Sequence, residues 1–321
     1  MSRSSGAGWR PDARISEFNR PVVAEFRASG GRVGGMFEGG DLLLLTTVGA
    51  RTGLPHTVPL GYLRVGGRLL VVASAGGSPR HPDWYHNVLA RPLVEVEIGT
   101  ERYAAVAVPL EGAERDEAFA EIVRREPGYG DYQARTERVL PVVALERAYA
   151  EQGAEGDADG DAAVTDMAAM LLRIHGWLRE QLGQVRVQAE EYFAARAAHT
   201  GPGAPPPPGL GLRIRQHCLA FCQSLWVHHV GEDEHLLPRL ESEHPELAGV
   251  VARLRAEHAV VARIRADLEA LLADVTTADP DRFRADLDRM TAELESHLAY
   301  EEEHLIPLLA SVPFPPVPPG A

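Results

Sequence analysis

Cysteine is nearly absent: Cys218 and Cys222 are the only two in 321 residues. They stand four apart in a helical pattern, as two small buried residues on one helix face would. A helix holds such side chains apart in fixed directions, so no structural disulfide is expected. Long apolar runs are missing too. No stretch reaches the roughly 18 uninterrupted apolar residues of a membrane span, and the opening MSRSSGAGWRPDAR lacks the apolar core of a secretion signal. A cytoplasmic protein with no integral membrane segment is the expectation. Positive charge is also scarce: 32 basic residues against 46 acidic ones leave a net charge of -14. That balance argues against a nucleic-acid partner or an anionic membrane. What the chain does have is 45% hydrophobic residues over a length that fits two domains better than one.

The 13 histidines divide unevenly, three before residue 150 and ten after it. Between the two halves, residues 151–162 (EQGAEGDADGDA) are small and acidic, as a solvated linker would be. The expected organisation is one domain over 1–150, this linker, a second domain over 163–312, and a Pro-rich tail over 313–321. A further break, GPGAPPPPG at 201–209, cannot be helix. In the first domain a helix runs from a cap at Asn19, with Pro21 in its first turn, to Ser29, and Gly30 and Gly31 end it. Leu- and Val-rich segments at 42–48, 58–65, 68–74, 93–98, 102–108 and 140–146 read as strands. Helices interrupt them near 82–90 and 112–126. Six short strands with few helices point to a small barrel or curled sheet.

In the second domain the period turns helical in four segments, near 162–198, 211–242, 246–274 and 280–310, which makes a four-helix bundle. The apolar stripe of the fourth is Phe283, Leu287, Met290, Leu294, His297, Glu301, Leu305 and Leu308. A histidine and a glutamate therefore stand where leucine belongs, and a buried carboxylate is costly unless paired or coordinated. The second segment repeats the anomaly on the face Phe221, Leu225, His228, Glu232, Leu236 and Leu240. The third puts His258 between Leu254 and Val261, and the first puts His175 between Leu171 and Leu178. Six ligand types thus face one axis, and two helices share a string, His228-x-x-x-Glu232-x-x-His235-Leu-Leu-Pro238 and His297-x-x-x-Glu301-x-x-His304-Leu-Ile-Pro307. Imidazole with bridging carboxylate suits two irons in a bundle core. His229, His235 and His304 read as solvated or as supporting the ligands, and His199, His217 and His244 as structural or exposed.

This half resembles the hemerythrin-like, HHE cation-binding family over residues 163–310. His175, His228, Glu232, His258, His297 and Glu301 fall on its metal-ligand pattern one by one. The resemblance implies a non-haem di-iron centre that binds O2 or a related small ligand, or senses oxygen or iron. Oxygen-carrying hemerythrins use more histidines, and the carboxylate pairs here weigh against reversible oxygen carriage.

In the first domain, Thr46 to Gly53 follows a strand, and its glycines would let backbone amides and Arg51 approach an anion, though a plain hairpin turn fits as well. Val71 to Gly77 ends a strand in small residues against which a flat ring could lie. His81-Pro82-Asp83-Trp84-Tyr85-His86-Asn87 opens a helix, and Tyr129 and Tyr132 follow Pro127 in a loop. These segments, with Glu25-Phe26-Arg27, Gly30-Gly31 and Pro59-Leu60, resemble the deazaflavin-dependent nitroreductases, split β-barrel proteins that use coenzyme F420. The resemblance implies a coenzyme site on Ala50, Arg51, Thr52, His56, Thr57, Val58, Pro59, Leu60, Gly61, Val72, Ala73, Ser74, Ala75, Asp83, Trp84, Tyr85, His86 and Asn87. Arg51 and its neighbours would hold the charged tail, and Tyr129 would be the catalytic residue on the acceptor side. His56 stands where the family usually has Arg, and Gly61 where a bulkier residue is common.

The expected fold is α+β in two domains, a split β-barrel of FMN-binding type followed by an all-α four-helix bundle. The expected function is hydride transfer from reduced F420, with FMN as the alternative coenzyme, to a small-molecule acceptor such as a quinone or nitro compound. A di-iron oxygen-responsive domain would be coupled to it. The alternative is a non-enzymatic oxygen, redox or iron sensor that binds the coenzyme without turnover. A homodimer is the assembly the resemblance allows.

Overall fold

The computed structural model describes residues 15–148, 166–199, 210–272 and 277–310. The linker at 151–162, the break at 201–209 and the tail at 313–321 lie outside the described residues. The described residues divide into two compact units, one holding the barrel together with 194–199 and 210–220 from two of the helical segments, and one holding the rest of the helical bundle.

The barrel closes six antiparallel strands in the order β1-β2-β3-β6-β5-β4. They are β1 (Leu42–Val48), β2 (Pro55–Val65), β3 (Arg68–Val72), β4 (Leu93–Ile98), β5 (Glu101–Pro109) and β6 (Val142–Arg147). The near-continuous Leu and Val runs, rather than a clean alternation, arise because much of the wall is covered on both sides. Leu43, Leu45, Val71, Val96 and Val143 fill the interior. Outside, Leu42 and Leu44 pack under Val23 and Phe26 of α1 (Arg20–Ser29). Burying a side chain such as Phe26 contributes about 1.5–3 kcal/mol. Another outer cluster, Leu63, Leu70 and Val72, packs with Ile122 of α3 (Gly112–Arg125). α2 is Asp83–Ala90.

Two local expectations change. Asn19 makes no side-chain cap; the Ser16 hydroxyl accepts from the Asn19 N–H at 3.2 Å instead. Tyr129 and Tyr132 lie on a short helix, α4 (Gly128–Ala134), not in a loop. Gly31 is needed for a close crossing: a Cβ there would sit 2.6 Å from Gly99 Cα, in the turn joining β4 to β5.

The bundle comprises α5 (Met167–Ala198), α6 (Leu210–Gly231) continuing through a π turn (Glu232–Leu236) into α7 (Leu237–Glu243), then α8 (Ala248–Leu272) and α9 (Pro280–Leu309). Asp166 accepts from the Ala169 N–H at 2.8 Å, and Asp279 caps α9 through the Arg282 N–H. One end is closed by Leu171, Leu237, Leu254 and Leu305, one from each of the four helical segments. The π turn moves the core stripe on by one residue, so Leu237 is fully buried where the regular period named Leu236. On α9, Leu309 is buried and Leu308 only half-buried. The twin strings therefore have different backbones, since α9 runs as α-helix straight through Pro307. Proline alone does not account for this, because both strings carry one.

Candidate metal centre and coenzyme site

Inside the bundle, two groups of metal-binding type form, each with ligand atoms within 4.8 Å of one another: His175, His228 and Glu301, and His229, His258 and His297. Glu301 lies between them. Its Oε2 is 3.5 Å from His175 Nε2, 3.7 Å from His228 Nε2 and 3.5 Å from His297 Nε2. Glu232 lies 3.4 Å from His228 Nδ1 and 3.5 Å from His258 Nε2. All six sequence-predicted ligands are thus brought together.

Three of the histidines are aimed by a carboxylate on the opposite ring nitrogen. His175 Nδ1 meets Glu302 at 2.9 Å, His258 Nδ1 meets Asp233 at 3.0 Å and His297 Nδ1 meets Glu257 at 3.2 Å. Glu302 is itself held by Arg179, and Glu257 by Arg253. Such a bond fixes ring orientation and leaves Nε2 free to ligate. His175 Nε2 and His228 Nε2 lie 3.2 Å apart, but Nε2 of His229, His258 and His297, and both carboxylate oxygens of Glu232 and Glu301, have no hydrogen-bond partner. Seven buried polar atoms converging without partners fit a bound cation pair, which would satisfy what the fold leaves open.

The electrostatics agree. Burial, reinforced by neighbouring histidines, holds His229 well below the ordinary imidazole value, and burial lowers His258 and His297, so the rings are in the neutral, ligating form. Burial, then the neighbouring Glu301, pushes Glu232 well above the carboxylate range. Burial acts the same way on Glu301, but the proximity of Glu232, His175 and His228 outweighs it and holds Glu301 low.

The sequence reading missed His229. Its side chain is buried at 7% exposure, and its ring stacks on His258 with centroids 4.0 Å apart and 13° between planes. With it the cluster holds five histidines and two carboxylates, which removes the shortage of histidines inferred from the sequence. Its signal was adjacency: helical neighbours lie about 100° apart, so a period assigns only one of His228 and His229 to the axis. His235 is exposed, and His304 Nδ1 bonds the Tyr300 carbonyl at 2.8 Å.

In the barrel unit, the candidate coenzyme residues lie on the β1–β2 turn, along β2 from His56 opposite Thr47 to Gly61 opposite Leu42, at and after the end of β3, and on α2. Asn87 on α2 ties the β1–β2 turn down, accepting from the Ala50 N–H at 3.0 Å and donating to Thr47 Oγ1 at 3.0 Å. A Cβ on Gly49 would sit 2.3 Å from Thr52 Oγ1, so a larger residue there would turn the Thr52 side chain aside. Ala50, Arg51, Thr52, Ala75, Asp83 and His86 are exposed; His56, Pro59, Ser74, Tyr85 and Asn87 are half-buried. Thr57 is buried, its hydroxyl 2.7 Å from that of Thr46, and Val72, Ala73 and Trp84 are core residues, with Val58 and Leu60 packed on the interior. Such residues can offer a ligand backbone rather than side chain.

Tyr129 lines a cavity of about 310 Å³ with Gly61, Tyr62, Leu63 and Arg64. Its hydroxyl has no hydrogen-bond partner among the described residues, and burial raises its pKa, so it is a phenol donor at neutral pH. A Cβ on Gly61 would lie 3.2 Å from that oxygen. Gly61 therefore lines this cavity and stands apart from the turn that carries Arg51.

The model of the F420H(2)-dependent quinone reductase family matches residues 18–147. The F420H(2)-dependent quinone reductase Rv1261c of Mycobacterium tuberculosis is 43% identical over 128 residues, 39% of this chain and 86% of that protein. The chain belongs to this family of oxidoreductases. Residues 166–309 match the hemerythrin HHE cation binding domain, so this member of the F420H(2)-dependent quinone reductase family carries a hemerythrin domain behind its barrel. Among solved structures, an F420-H2 dependent reductase (FDR-A) is 40% identical over 33% of this chain and 94% of its own, with a TM-score of 0.31. A chain described as a domain-swapped dimer is 35% identical over 41% of this chain and 98% of its own, with a TM-score of 0.33. Among the described residues no helix is long and apolar enough to cross a membrane.

Proposed function

We propose that the barrel reduces a quinone or similar small electrophile with reduced coenzyme F420, and that the bundle holds two irons that bind or sense oxygen and regulate that activity. The observation that carries the second half is the set of seven unpartnered buried atoms on His229, Glu232, His258, His297 and Glu301. Family membership and the frame tied by Asn87 support the first.

Arg51 and the amides of Ala50 to Thr52 would hold the coenzyme's charged tail, with the backbone of Val72 to Ala75 and the start of α2 framing its ring. Tyr129 would donate a hydrogen bond to the acceptor oxygen, placing a proton beside the position that becomes a hydroxyl. Reduced deazaflavin supplies a hydride when bound; the acceptor gains that hydride and one proton. In the bundle, His175, His228, His229, Glu232, His258, His297 and Glu301 would hold the irons, and Glu302, Asp233 and Glu257 would keep three rings oriented. Iron supplies one-electron chemistry and positions for small ligands, whereas a deazaflavin favours paired electrons, which favours regulation over direct electron exchange.

Mixing reduced F420 anaerobically with iron-reconstituted full chain and menadione tests the reading. Oxidised coenzyme should appear with menadione, at a rate that changes when oxygen is admitted. Coenzyme binding without oxidation would support a sensor, and fewer than about one iron per chain would overturn the di-iron centre.

A further inference from the structure

We propose that Arg138 is a positioning residue of the coenzyme site, whose guanidinium clamps the turn after β3 against the entry to α2 and whose backbone is tied to the helix carrying Tyr129. The inference rests on the coenzyme reading of Val72 to Ala75 and Asp83 to Asn87. Arg138 is half-buried in the segment between α4 and β6 and belongs to none of the segments singled out in the sequence. All three of its guanidinium nitrogens are engaged: Nε donates to the Ser78 carbonyl at 2.7 Å, Nη2 to the Ser74 carbonyl at 2.6 Å, and Nη1 to the Ala73 carbonyl at 3.0 Å. Nη1 also lies 3.0 Å from His81 Nδ1, just ahead of α2.

The turn it grips needs holding. Ala75 has φ +46°, the only non-glycine residue in the left-handed region among the described residues, and Gly76 and Gly77 follow at +63° and +84°. The carbonyls of Ala73, Ser74 and Ser78 converge on one point, where their partial negative charges would repel without a cation. A planar fork can meet several of them at once; an ammonium on a flexible stem cannot do so in the same geometry. The turn is also pressed on α4, since a Cβ on Gly77 would sit 2.8 Å from the Tyr132 carbonyl and 3.0 Å from Arg135 Cβ. Gln133 of α4 completes the connection, donating to the Arg138 carbonyl at 2.8 Å and accepting from the Leu140 N–H at 2.9 Å. Arg138 thus joins the surface proposed for the coenzyme ring to the entry to α2 through its side chain, and to the element that presents the Tyr129 hydroxyl through its backbone carbonyl.

The test compares wild type, Arg138→Gln, Arg138→Lys and Arg138→Gln/His81→Gln as full chains. Coenzyme F420 affinity is read from quenching of its fluorescence, and backbone order from hydrogen exchange. Arg138→Gln should weaken coenzyme binding by about tenfold or more and Arg138→Lys by less, with the double variant no weaker than Arg138→Gln. Exchange should accelerate over residues 73–78 and 128–134 but not in the bundle. A lowered unfolding temperature with unchanged coenzyme affinity would overturn the positioning role. Should Arg138→Gln fail to fold, Arg138→Lys decides by the same readings. If the wild type binds no F420, the coenzyme reading fails, and unchanged exchange at 73–78 then also removes the clamp.

Discussion

The bundle centre and the candidate coenzyme frame treat polar atoms in opposite ways. At the bundle centre seven such atoms point inward with nothing to bond. In the barrel unit Asn87 and Arg138 spend their donors and acceptors on the Ala50 N–H, the Thr47 hydroxyl and the Ala73 and Ser74 carbonyls of the candidate coenzyme frame. The difference teaches what each expects of its ligand. A metal pair supplies missing bonds and becomes part of the fold's own accounting, whereas an organic coenzyme meets a surface that is already satisfied and preorganised.

The strongest way to break this contrast is Glu301→Ala, which removes the carboxylate lying between the two histidine groups. Iron after anaerobic reconstitution should fall from about two per chain to well below one. The metal-free bundle should also become about 1–3 kcal/mol less stable to urea at neutral pH, because a carboxylate that its neighbours hold in the charged form is lost and a cavity is left. Full iron retention in this variant would show that the unpartnered atoms are not ligands. His229→Ala cuts less deeply: iron should fall from about two to about one, and an unchanged content would make that ring a stacking partner of His258 only.

Proton release sharpens the same half. The folded-state pKa of Glu232 is raised above its unfolded value, so its bound proton stabilises the metal-free bundle at low pH, and that stability is lost as pH rises through the raised value. Metal must displace this proton. Loading near neutral pH in weak buffer should therefore release about one proton per bundle, and Glu232→Gln should release none from this position, as read by a pH indicator.

On the barrel side, Asn87→Ala should weaken F420 binding by about tenfold, roughly the worth of its two lost hydrogen bonds, with iron content untouched. The smallest effect is at Gly61. Gly61→Val should raise KM for a two-ring quinone by about three- to tenfold and leave a one-ring quinone and coenzyme affinity nearly unchanged. Equal effects on both acceptors would detach the cavity beside Tyr129 from acceptor binding.

Much of this was legible in the sequence, for identifiable reasons. β1 and β4 fall on their expected residues because each is a short Leu- or Val-rich run bounded by turn formers. Ligand types stood out at 175, 228, 232, 258, 297 and 301 because each interrupts an apolar stripe. α4 was missed: its seven residues, GYGDYQA, carry two glycines and no apolar period, and what holds it is packing against the turn at Gly77. His229 stayed hidden because periodicity gives one axis-facing residue per step, and Arg138 because convergent carbonyls belong to backbone conformation, which side-chain identity does not encode.

The π turn at Glu232–Leu236 has a consequence of phase. One added residue advances everything after it by about 100° around the helix axis, like a gear set one tooth on. Upstream, that segment can present His228 and His229 inward; downstream, it still seats Leu237 and Leu240 in the closing core. Deleting any single residue of the turn would leave composition and apolar content almost unchanged, yet one side of the gear would have to turn its teeth outward.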